Sequence, residues 1–295
     1  MKFPNYKRYG MLGLVLAVTT WSSCKKDGNP HNLPDVDPKD YEGTIDGFRS
    51  TDEIYPDNLI AYFSFNENNN EQISGVAPTS TAGATIVDAG FKGKALELSE
   101  GYLYFANQFD AFRTDNLKSF TISQWIQISN NDATKTQLFQ LARPGLLNGN
   151  IDIILQTQNR PASNIDFLTI QPYFSTIGGS RQDNVNNALS PTIGPDNWVH
   201  LVLTYNGTAG TFNIIANGVS IGGFNNRGVG NNLFNAYEPS ELIIGGNYNV
   251  IPGMEVNGDV SFAGMTGKID ELRIYNVFMP TAIAGSLYRL GLANQ

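Results

Sequence analysis

The chain has 295 residues, a formal net charge of −8, 16% charged residues and one cysteine. An acidic surface excludes nucleic acid and anionic lipid headgroups as its main partners, and a single cysteine excludes a disulfide framework. Whatever holds the fold comes from its core, or from its core and a metal.

In chain order, Lys2, Lys7 and Arg8 form a positive n-region, and MLGLVLAVTT follows as an apolar segment too short to span a bilayer comfortably. Ser22 and Ser23 then precede Cys24. Small residues before a lone cysteine, directly after such a segment, resemble a bacterial lipobox, although Trp21 stands where an aliphatic residue is usual. The resemblance implies a signal peptide over residues 1–23, cleavage before Cys24 and lipid attachment there; the alternative is an ordinary secretory signal. Removing residues 1–23 leaves 16 basic against 27 acidic residues, a net charge of −11. Lys25 and Lys26 are too few to draw the chain to anionic lipid. Residues 24–56, rich in Pro, Asp and Gly, show no apolar periodicity and read as a tether. His31 lies within it and is a poor candidate ligand.

Residues 57–295 read as one all-β domain. NLIAYFSFN, KALELS, GYLYFA, SFTISQWIQIS, QLFQLA, IDIILQT, FLTIQPYFS, WVHLVLTYN, TFNIIAN, ELIIGG and KIDELRIYN alternate with period two between turn residues. Asn206-Gly207 and Asn217-Gly218 signal hairpins on either side of TFNIIAN. No crossover helices separate the strands, so the expectation is an antiparallel two-sheet sandwich. Only MPTAIAGSLYRLG looks helical, a short turn opened by Pro280-Thr281 and closed by Gly291.

The order LIAYFSFNEN, GFKGKALELSEGYLYF, SFTISQWIQI, NWVHLVLTYNGTAGTFNIIANGVSIG, ELIIGGNY and GKIDELRIYNVFMP resembles the laminin-G-like, concanavalin A-like jelly rolls of bacterial surface proteins. With the lipobox, it resembles a Bacteroidetes-type surface lipoprotein. The resemblance implies a curved two-sheet sandwich, frequent calcium, a glycan or surface protein as partner, and an outer-membrane location through the lipid anchor alone. Which ligand it takes does not follow, because one fold hosts many functions.

The adjacent carboxylates Asp270 and Glu271 pose the chemical question. Strict alternation places Asp270 with Leu272 and Ile274, and Glu271 with Ile269, Arg273 and Tyr275, so the two acids do not converge on one substrate atom. A glycosidase of this fold needs acids on one face, and no E-x-D-x-(x)-E spacing occurs. His200 is the domain's only histidine, which argues against a catalytic triad. The reading is therefore non-catalytic, with a glycosidase built from acids on different strands as an alternative. Asp270 among apolar neighbours needs a partner: a hydrogen-bond network, an Arg or a metal. The resemblance favours calcium joining the closing strand to the turn NENNNEQISG, with Glu71 where the family has Asp, and Glu67 and Asn66 as nearby alternatives.

Trp125 falls opposite the apolar face of SFTISQWIQI, and Trp198 with His200 opposite that of WVHLVLTY. Such rings either stack sugars or form a second layer of core beneath loops. The Asn- and Gly-rich loops at 180–197, 224–240 and 246–260 add Arg181, Arg227, Tyr237 and Tyr248 as candidate contacts to a hydroxyl-rich ligand.

Overall fold

The computed structural model describes residues 43–107, 109–158, 167–176, 179–182, 185, 188–224 and 238–295. Two antiparallel layers curl into one continuous sheet around an apolar interior. The strands are β1 (Leu59–Phe63), β2 (Ser80–Val87), β3 (Ala95–Phe105), β4 (Phe120–Ile128), β5 (Lys135–Ala142), β6 (Ile151–Leu155), β7 (Ile170–Thr176), β8 (Gly179–Gln182), β9 (Val199–Asn206), β10 (Thr211–Ala216), β11 (Val219–Phe224), β12 (Glu241–Ile244), β13 (Phe262–Ala263) and β14 (Met265–Tyr275). Their order is β11-β10-β9-β4-β14-β3-β12-β5-β6-β7-β8, with β1 beside β14, β2 beside β3 and β13 beside β5. The long strands β3 and β14 join the layers. This is the expected jelly-roll sandwich.

Alternation explains the interior. Phe120, Ile122, Ile126 and Ile128 of β4 and Val199, Leu201, Leu203 and Tyr205 of β9 point into it, with Phe63, Phe105 and Phe139. Asn217 and Gly218 both take positive φ (49° and 77°), the backbone that a tight two-residue hairpin between β10 and β11 demands. KALELS and GYLYFA are one strand, β3, interrupted by Glu100 at φ 47°.

A second apolar layer lies outside the sheet. Helix α1 (Thr281–Leu292) is longer than the expected turn and contains Gly291 rather than ending on it. Its Ala284, Leu287 and Leu290 pack on Val202, Ile215 and Tyr275. Residues 44–56, which composition assigns to the tether, belong to the same unit, Thr44–Gln295. Ile54 is buried in this layer, and Asp46 accepts hydrogen bonds from Ser286 and Arg289. Ile54, with Ile45, Phe48 and Tyr55 packed part-buried beside it, and a few ionic contacts hold that segment down, at spacings that give no periodic signal.

Candidate functional site

Asp270 does not share a face with Leu272. Opposite β4, Asp270 pairs with Trp125 and Arg273 with Ser123, so Glu271 and Leu272 face Gln124 alone. Glu271 sits at φ 50° in this bulge. The extra residue reverses the alternation, so Ile269 and Leu272 both enter the core while Asp270 and Arg273 point outward. The two acids still do separate work. Glu271 accepts from Tyr62 Oη at 2.7 Å and pairs with Arg273 Nη2 at 2.8 Å. Asp270 Oδ2 accepts the Lys92 N–H and Oδ1 the Glu271 N–H, each at 2.8 Å. Burial pushes the Asp270 carboxyl up to about 7, opposed by the Lys92 N–H.

These contacts bear on the calcium reading. Asn66 Oδ1 accepts the Lys94 N–H at 2.8 Å, so Asn66 and Asp270 together hold the 88–94 loop by its backbone. The Glu71 carboxylate is filled by the N–H groups of Tyr62, Ile73 and Ser74 and by Ser74 Oγ, which knit the turn after β1. Glu67 is exposed on that turn. A calcium ion needs six or more oxygen ligands, and here the oxygens of Asp270, Glu71 and Asn66 face N–H donors. The four residues do not fit the ion. Among the described residues no three His, Cys, Asp or Glu side chains gather into a metal site.

The aromatic candidates are also redistributed. Trp125 is only 4% exposed, with Phe91 of the 88–94 loop stacked on it at 3.4 Å and Tyr288 of α1 at 5.7 Å. It offers no ring face to a sugar. His200 is buried beside it, its Nε2 2.8 Å from Ser123 Oγ. Burial, then the nearby Arg273 charge, lowers its pKa to about 3, so the ring is neutral. Its Nδ1 has no hydrogen-bond partner, so no third group orients the ring as a catalytic base requires. Tyr248 is buried too, its hydroxyl bonded to Glu241. Trp198 alone keeps partial exposure, edge-on to Phe91 at 6.2 Å. Arg181 lies in β8, but its side chain, like Tyr237, Arg227 and Cys24, is outside the described residues.

A site the sequence did not reveal lies farther along the same outward face. Glu97 of β3 pairs with Lys268 of β14, which pairs with Gln127 of β4. The three side chains therefore stand in a row across adjacent strands, about 4.8 Å from one to the next. They line an open cleft of about 540 Å³, with Ser99, Ser129, Asn130 and Pro195 among the other lining residues. The Gln127 side chain has no hydrogen-bond partner among the described residues and lines the cleft, and neither Glu97 nor Lys268 is ion-paired there. An amide that reaches an open groove is available to a ligand or to water. Alternation assigns Gln127 to the outward face beside Trp125; only the pairing of three strands distant in sequence brings Glu97 and Lys268 to it.

Fold and cleft together define an antiparallel lectin-type sandwich with a polar groove on one face. The chain belongs to the concanavalin A-like lectin/glucanase superfamily, whose laminin-G-like profile matches residues 99–282, more than half of it. Among curated proteins, none matches. Of solved structures, domain 4 of AbnA, a GH43 extracellular arabinanase from Geobacillus stearothermophilus, in complex with arabinotriose, is similar at 18% identity and TM-score 0.52, covering 78% of this chain and 98% of that one. The binding domain of Paraclostridial Mosquitocidal Protein 1 is similar at 16% identity and TM-score 0.54, covering 79% of this chain. Botulinum neurotoxin type C, described as entering cells through two ganglioside molecules, gives 17% identity, TM-score 0.52 and 81% coverage. The chain spans about half of each toxin chain, 52% in both cases. At these identities the likeness is one of fold, which glycosidases and non-catalytic binding domains share.

Proposed function

We propose that this protein is a non-catalytic glycan-binding module, displayed on the outer membrane by a lipid at Cys24. The observation that carries the reading is the cleft beside Gln127: an amide, hydroxyls and two charges without ion-pair partners among the described residues converge on a groove of about 540 Å³. That volume lies within the range of small-ligand sites. The fold's known use in binding domains, including one solved with arabinotriose, supports it. Hydrolysis by two carboxylates needs both across one cleft, about 5–10 Å apart, and among the described residues Glu97 is the only acid lining this one.

A glycan array probed with the purified protein tests the reading, followed by assay of each bound glycan for new reducing ends. Binding without product is expected. Product that vanishes in Glu97→Gln would make the protein a glycosidase. Silence across plant, algal and host glycans would favour a surface protein as partner.

A further inference from the structure

We propose that the cleft selects an uncharged glycan, read by the row Glu97, Lys268 and Gln127; this rests on the glycan-binding reading above. The row offers a carboxylate that only accepts hydrogen bonds, an ammonium that only donates them, and an amide that does both. Adjacent strands place the acid and the base as neighbours, yet they form no ion pair with each other or with any described residue. Both charges are thus free to meet a ligand. A hydroxyl both donates and accepts, so neighbouring hydroxyls of one sugar can bond to Glu97 and Lys268 at once. Gln127 behind them supplies the donor and acceptor that fix the ligand's orientation.

Charge decides the class. The row sums to zero, so it gives no net attraction to an acidic sugar. A uronate placed on Lys268 would lie beside Glu97 and would approach a chain with net charge −8. A cationic sugar on Glu97 would meet Lys268 in the same way. Among sugars that are neutral or carry a single charge, the neutral ones use all three groups without a repulsive contact.

The test is titration of the purified protein with neutral and uronate oligosaccharides of equal length, at about 50 and about 500 mM salt. Neutral glycans are expected to bind, with affinity changing less than about two-fold between the two salt levels. Glu97→Gln, Lys268→Gln and Gln127→Ala are each expected to weaken binding about ten-fold or more, with circular dichroism unchanged. Neutral-glycan binding that survives all three substitutions would place the ligand elsewhere and overturn the proposal. Preference for uronates, falling with salt and improved by Glu97→Gln, would overturn the uncharged class yet leave the glycan-binding reading standing. Failure of the folded protein to bind either series would remove both.

Discussion

Arg273 carries its charge inside the fold: its side chain is 4% exposed and pairs with Glu271, while its second partner, Asp52, is 74% exposed. Removing one member of a buried pair leaves the other uncompensated, so Arg273→Ala should cost about 3–5 kcal/mol in urea denaturation. Asp52→Asn should cost less than about 1 kcal/mol, since water already screens that contact. Asp152 behaves differently. Its Oδ1 accepts from Gln137, Gln140 and the Gly149 N–H, but its buried Oδ2 has no partner. Burial pushes its carboxyl up to about 7 from an ordinary 3.8, so between these values the folded state holds a proton that the unfolded chain releases. Stability should therefore fall as pH rises from about 4 to about 7. Asp152→Asn should flatten that slope and raise the melting temperature at pH above 7; an unchanged slope would show that the acid is not strained in the fold. Sequence could show Asp152 as a lone acid in an apolar strand. It could not show that both flanking glutamines turn toward it, because that depends on the bulge between Gln137 and Phe139 in β5.

At the scale of elements, the strands and the outward positions of Trp125 and His200 were legible from period two, because a half-buried strand must alternate. The bulge at Glu271 was not, since one extra residue leaves no compositional mark and reverses every face assignment before it. The same holds for the cover over Trp125. The 88–94 loop and α1 both come from outside the strand, and Gly291 lets the helix approach so closely that a Cβ there would lie 2.8 Å from Trp125 Cζ2. Gly291→Val should accordingly unseat the helix, cost about 1–3 kcal/mol and red-shift tryptophan emission. Asp270→Ala should loosen the 88–94 loop, read as faster amide exchange at Phe91 and Lys92. If Asp270 serves this loop and not an ion, wild type and Asp270→Asn should respond alike to EDTA. A melting-temperature drop confined to wild type would restore calcium to the site.

For the whole molecule, β14 links the cleft to the point where the segment before β1 joins the sheet. Lys268 and the cleft lie at its start; at its end, Asn276 donates its backbone N–H to the Asn58 carbonyl, where the N-terminal segment joins the sheet. About seven residues of extended chain separate the two, roughly 23 Å. If Cys24 carries the lipid, Cys24→Ala should move the protein from the detergent phase to the aqueous phase; no change in partitioning would sink the anchor. The most direct test of the central claim is hydrogen exchange of the protein with and without its best array glycan. Protection is expected at residues 97–99, 127–131 and 266–268, the lining of the cleft. Protection confined to the other layer, over β5 to β7, with none at Gln127 or Lys268, would contradict it.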